Sequence, residues 1–228
     1  PDDGDYARFR MLAWRNHYVN EELTAWVDQA VREQDAGKRL EIYAQMQRVF
    51  MEQSPFAMLL QRGEVAALRK GVTGLILGSL PGAMSLAMRQ YYAQPQNAFW
   101  RIMADIAGAG RDVPYEERLE RLRQARIALW DVCEAAERPG SLDSAIVLSS
   151  VTSNRFETFL MRQPEIRGIC FNGNTAARLF ERLAVPKLAP AQRALPRTVL
   201  PSTSPAHAGM PFERKLQRWR EVLLPLIR

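Results

Sequence analysis

The chain has 228 residues, 47% of them hydrophobic and 25% charged, values of a globular protein of one or two domains with enough apolar surface for a core, which excludes disorder and collagen-like order. Two cysteines, Cys133 and Cys170, and two histidines, His17 and His207, supply neither a disulfide framework nor a paired metal-ligand spacing, so no metal site is expected. The formal charge of +6 is unevenly placed: residues 1–73 carry 10 basic and 11 acidic side chains, whereas the remainder carries 21 and 14. The excess in the second part is almost all arginine, which suits bidentate contact with phosphate and favours an anionic partner, nucleic acid first. An arginine-rich solvated surface would show the same count.

Pro1 to Asp5 are acidic and polar, without the basic start and apolar stretch of a secretory signal, so no export address is expected. From Asn20 to Ala36, Leu23, Trp26, Val27, Ala30 and Val31 recur at helical spacing behind Asn20 as a candidate N-cap. Gly37 is expected to break that helix, and a second runs through Leu40, Tyr43, Met46, Val49 and Phe50 to Ser54, where Pro55 stops it. Phe56–Leu60 and Val65–Leu68 read as short strands. These runs, like Leu75–Leu77, fall far short of the ~20 apolar residues of a bilayer span.

From Leu75 the pattern changes. Leu75–Leu77 predicts a buried strand, and Gly78 to Gly82 (GSLPG) a tight turn after it. Further strands are predicted at Ile127–Val132, Arg167–Phe171 and Thr198–Leu200, and helices over Phe99–Ile106, Pro114–Arg126, Asn154–Gln163, Thr175–Leu183 and Phe212–Leu224. Pro186–Pro196 reads as a surface loop. Strands separated by helices of this length imply a mostly parallel sheet covered on both faces.

In such sheets ligands bind beyond the carboxyl ends of the strands, so the loops there are the candidate site. GSLPG offers glycines that admit close approach and amides able to hold an anion, but it is neither a GK[ST] phosphate loop nor a GxGxxG fingerprint. Tyr91 and Tyr92 precede Asn97, where rings beside a helix start either stack on a flat base or line the core, and the amide either works on substrate or caps the helix. Phe171-Asn172-Gly173 places an asparagine that reads a base edge or only makes an Asn-Gly turn. Ser202, Thr203 and Ser204, between Pro201 and Pro205 and followed by Ala206 and His207, form a small-residue loop able to approach and donate to phosphates, or an ordinary turn.

Taken in order, GSLPGAMSL, QYYAQPQNAFW, IALWDV, ERPGSLDSAI, FNG and LPSTSPAHA resemble the hypoxanthine-DNA glycosylase branch of the uracil-DNA glycosylase superfamily, from about Leu75 to the C-terminus. The resemblance implies a three-layer α/β/α sandwich on a central four-stranded, mostly parallel sheet, and an enzyme that flips a deaminated base out of double-stranded DNA and hydrolyses its N-glycosidic bond. Hypoxanthine is the first expectation, with uracil and xanthine behind it. It also implies Asn97 as the catalytic amide, Gly78, Ser79, Leu80, Pro81, Gly82, Tyr92, Phe171 and Asn172 around the base, and Ser202 through His207 on the DNA. It implies no cofactor and no membrane, and a monomer in the cytoplasm with the nucleoid. Gln94 and Gln96 stand where a common form of the motif has histidine and arginine.

The preceding part, with Asn20-Glu21-Glu22-Leu23, Asp35, Arg39, Tyr43, Ser54-Pro55-Phe56 and Gly71-Val72-Thr73-Gly74, resembles the C-terminal tail of peptide-binding proteins of ABC importers. Two domains are therefore expected, a helical segment over 1–73 and the glycosylase-like domain over 74–228. A fragment or fusion of a periplasmic peptide-binding protein is the alternative identity.

Overall fold

The structure is a computed structural model and describes residues 21–53, 71–138 and 142–227, which fall in two compact units, Pro1–Met58 and Leu59–Arg228. In the first unit, helices α1 (Glu21–Arg32) and α2 (Ala36–Gln53) pair through Val27, Ala30, Ile42, Tyr43 and Met46, with Trp26 packed against them. Gly37 does not end α1, as expected from sequence, but lies in the first turn of α2. The reason is Asp35, whose carboxylate accepts the backbone N–H of Lys38 at 2.9 Å and caps α2 two residues before the glycine. Val31 is 59% exposed at the edge of the apolar stripe. The predicted cap at Asn20 and the strands at 56–60 and 65–68 lie outside the described residues.

The second unit is built on four parallel strands in the order β2 (Ile127–Asp131), β1 (Gly74–Gly78), β5 (Gly168–Asn172), β6 (Arg197–Leu200). Gly78 pairs in register with Asp131, Leu77 with Phe171, and Asn172 with Leu200, so the four carboxyl ends are level. Successive side chains of a strand face opposite ways, and the apolar runs feed two cores accordingly. Leu75, Leu77, Ala128, Trp130, Ile169 and Phe171 pack on one side, with α6 (Phe156–Arg162) and α7 (Asn174–Leu183). Ile76, Ile127, Leu129 and Cys170 pack on the other, with α4 (Phe99–Ala107), α5 (Tyr115–Gln124) and α9 (Phe212–Ile227). The result is the expected α/β/α sandwich.

Three features escaped sequence reading. Helix α3 (Ala83–Met88) is too short to display a period. A two-stranded antiparallel ribbon of β3 (Cys133–Ala135) and β4 (Thr152–Ser153) pairs across 3₁₀ turns at Asp143–Ala145 and Leu148–Ser150. The predicted loop over 186–196 contains α8 (Pro190–Arg193), because Pro190 sits at the first helical position, where its missing N–H costs nothing, and Gln192 accepts the Ala189 N–H at 3.0 Å.

Candidate active site at the carboxyl ends of the sheet

From β1 the chain goes outward to β2 and then returns past β1 to β5, so the order of strands reverses between β1 and β5. A crevice forms at such a switch point. Gly78 ends β1 there and Asn172 ends β5.

The GSLPG loop is held rigidly. The Gly78 and Ser79 carbonyls accept the N–H groups of Val132 and Cys133 at 2.9 and 3.0 Å. The Ser79 hydroxyl donates to Asp143 at 2.7 Å. Arg138, 1% exposed, donates to the Leu80 carbonyl at 3.4 Å and to that of Pro81, and stands 3.5 Å from the Asp143 carboxylate. A buried guanidinium therefore spans two successive carbonyls of the loop. Leu80 turns into the core on the α6/α7 side, whereas Pro81 and Gly82 are half-buried.

On the other side of the sheet Gly78 leaves room for a polar cluster. A Cβ on Gly78 would stand 2.3 Å from Asp131 Oδ1, closer than carbon tolerates, and in tight contact with the Tyr92 hydroxyl at 3.1 Å. Burial, ahead of any neighbour, pushes the Asp131 carboxyl up to about 7, with Tyr91 and Arg138 drawing it down and Asp143 raising it. Among the described residues, Asp131 Oδ2 and the hydroxyls of Tyr91 and Tyr92 are buried without hydrogen-bond partners, with the Asp131 carboxylate beside the Tyr91 phenol. Burial and the nearby Asp131 charge raise both phenols well above the ordinary range. Tyr92 has a left-handed backbone, φ +51°, and its ring stacks on Phe99 at 4.1 Å. Three carbonyls hold that strained turn: Arg111 donates to Tyr92, Ala93 and Gln94 at 2.8, 3.3 and 2.7 Å.

Asn97 lies at the start of α4, where its Oδ1 accepts the Phe99 N–H at 3.0 Å. The cap fixes the carboxamide and leaves its NH₂ as the group free to donate. The next residue, Ala98, donates its N–H to the Thr203 carbonyl at 3.0 Å, which ties the helix start to the loop after β6. Asn172 is clamped to the same loop at both ends of its amide: Oδ1 accepts the Thr203 N–H and Nδ2 donates to Thr203 Oγ1, each at 2.8 Å. Thr203 is accordingly buried, while Ser202 and Ser204 are half-buried and Pro205, Ala206 and His207 form an exposed tip. Helix α9 staples this loop at two points, through Trp219 Nε1 to the Pro201 carbonyl at 2.9 Å and the Lys215 ammonium to the His207 carbonyl at 2.7 Å.

The structure thus gathers Gly78, Tyr92, Asn97, Asn172 and the 202–207 loop at one end of the sheet. It does not bring the Phe171 ring there, since that ring is 1% exposed and packs on Phe180 at 5.2 Å. The model of the uracil DNA glycosylase superfamily matches residues 68–225 of this sequence. The chain belongs to that superfamily. A hypoxanthine DNA glycosylase of Methanosarcina acetivorans is 41% identical over 119 residues, 52% of this chain and 74% of that protein. One from Methanosarcina barkeri is 40% identical over 100 residues, 43% of this chain and 62% of the relative's length. A solution NMR structure of a protein described as a uracil DNA glycosylase, also from M. acetivorans, superposes with a TM-score of 0.60 at 36% identity, covering 73% of this chain and 98% of that one. Membership of the superfamily makes this chain a DNA glycosylase, and its substrate DNA. Among the described residues no helix is long and apolar enough to cross a membrane.

Sequence reasoning missed Asp131, Arg138, Asp143, Arg111 and Lys215. Asp131 carries a readable signal, because it is a carboxylate at the end of a predicted strand, where sheet topology puts ligand sites. The others are recognisable only once the loops they hold have been folded together.

Proposed function

We propose that this glycosylase excises hypoxanthine from double-stranded DNA, acting as a monomer. The observation that carries the base preference is the identity of about 40% to two relatives named hypoxanthine DNA glycosylases. A base inside the duplex is out of reach, so the enzyme extrudes it, at a cost of a few kcal/mol in unstacking that is lowest for a mispaired base. Gly78 through Gly82 and the Tyr92 ring then flank the flipped base. Phe171 contributes backbone only, and Asn172 reaches the base by exchanging one of its two bonds to Thr203. Ser202, Thr203 and Ser204 approach the backbone, with Pro205 to His207 as the tip.

Cleavage of the N-glycosidic bond passes through an oxocarbenium-like sugar and needs a stabilised leaving base and a positioned water. Asn97 is the proposed catalytic amide. A carboxamide is no general base at neutral pH, but its NH₂, oriented by the Phe99 cap, donates to the departing purine or holds the water. The two lysines of the unit that the structure describes are both engaged, Lys215 with His207 and Lys187 with the Ser153 hydroxyl at 3.2 Å, which supports direct hydrolysis without a Schiff base.

The test is a labelled duplex containing one deoxyinosine, beside uracil, xanthine and unmodified duplexes, cleaved with alkali after incubation. Cleavage at inosine is expected, with Asn97→Ala lowering the single-turnover rate by about 10²–10³-fold while leaving DNA affinity intact. A folded wild-type protein inert on every base would overturn the reading and redirect attention to peptide binding by residues 1–73.

A further inference from the structure

A cleft of about 470 Å³ opens beside the strand-end cluster, sharing Ser202 and His207 with it, and its far wall is helix α9, which presents Arg214, Gln217 and Arg218. Three observations give the cleft a chemical character. Arg214 is exposed and, among the described residues, makes no ion pair or hydrogen bond, whereas Arg121, Arg123, Arg197 and Arg220 each sit on an acid. Arg218 pairs at 3.2 Å with Glu221 on the same wall, but both are about half-exposed, 53% and 48%, so the pair is weak and exchangeable. Lys215 is bonded to the His207 carbonyl and fixes the exposed loop tip against the very turn that carries Arg214, so the two walls keep their spacing.

We propose that this cleft receives the phosphates of the DNA strand continuing past the extruded nucleotide, with Arg214 as a direct phosphate ligand. Arg218 is a second ligand, released from Glu221 as the anion arrives, and the Ser202 hydroxyl and His207 face them from the loop. The inference rests on the glycosylase reading and extends its DNA contact from the 202–207 loop to α9. Guanidinium suits the task because its fork matches two phosphate oxygens at once. A phosphate contact positions the duplex without reading sequence, so its loss weakens every duplex alike.

The experiment measures binding of a labelled duplex without damage by fluorescence anisotropy over a range of salt concentrations. It compares the wild type with Arg214→Ala and with Arg162→Ala, an exposed arginine of α6 on the opposite face of the sheet. One lost phosphate contact lowers the slope of log affinity against log salt by about 0.9, which is roughly eightfold in affinity at about 0.1 M salt. That change is expected for Arg214→Ala and not for Arg162→Ala, which also keeps the wild-type excision rate on an inosine duplex. An unaltered slope in Arg214→Ala, or an equal fall in both variants, overturns the proposal. If the slope falls as stated while the wild type excises no base, the cleft stands and the glycosylase reading falls; excision with an unaltered slope removes only the cleft.

Discussion

Gly78 and Asp131 occupy paired positions at the ends of neighbouring strands, and each dictates the other. Only a residue without Cβ leaves space for the Asp131 carboxylate, so Gly78→Ala is expected to cost about 1–3 kcal/mol through overpacking, read as a lowered urea midpoint, and to reduce inosine excision. Asp131 makes stability depend on pH. Its folded value of about 7 lies above the ordinary 3.8, so between those values the native chain holds a proton the unfolded chain has released. The stabilisation is complete below about 3.8 and is lost as the pH rises through about 7. Asp131→Asn, neutral throughout, is expected to flatten the dependence of the urea midpoint on pH across that window; an unchanged slope would assign it to other groups. Gly78 was legible as a turn glycine in GSLPG. Asp131 was legible as a carboxylate at a strand end but not as the neighbour of Gly78, because nothing in the wording of IALWDV tells that two strands so far apart in the chain lie side by side.

At the scale of elements, the site depends on braces that lie outside the motifs' obvious chemistry. Arg138 holds two carbonyls of the GSLPG loop from the β3–β4 ribbon, and a hydrogen bond to a charged donor contributes about 1.5–3 kcal/mol. Arg138→Ala is expected to lose at least that much stability and, among molecules still folded, to raise KM for an inosine duplex more than it lowers kcat, because the loop flanks the base without reacting. Helix α9 does the same for the other wall: Trp219→Phe removes the donor to Pro201 and shrinks a fully buried indole to a phenyl ring, an expected loss of at least about 1 kcal/mol by chemical denaturation. The helices and strands themselves were readable, since Phe99–Ala107 and Phe212–Ile227 carry apolar residues at a helical period and the strands are short apolar runs bounded by turns. The ribbon and α8 were not, since two or three paired residues and a four-residue helix are too short to display a repeating pattern, and the ribbon's two strands are distant in the chain.

For the whole molecule, the two units have separate cores, one of Val27, Ala30, Ile42, Tyr43 and Met46 and the other built on both faces of the parallel sheet. The match to the superfamily covers residues 68–225, all within the second unit. A chain lacking residues 1–58 is therefore expected to unfold cooperatively in a thermal melt and to excise inosine at the full-length rate; loss of either would give the first unit a part in the glycosylase. The sequence by itself determined the order of strands and helices, the excess of arginine after residue 73, and the loops that carry Tyr92, Asn97, Asn172 and Ser202 to His207, because periodicity, turn residues and charge are local properties. Only the tertiary structure decided that Phe171 faces the core, that Asn172 is clamped to Thr203, and that Asp131 lies buried beneath Gly78. Those are consequences of register and layer packing, which bring residues from distant parts of the chain within a few ångströms and set what each can touch.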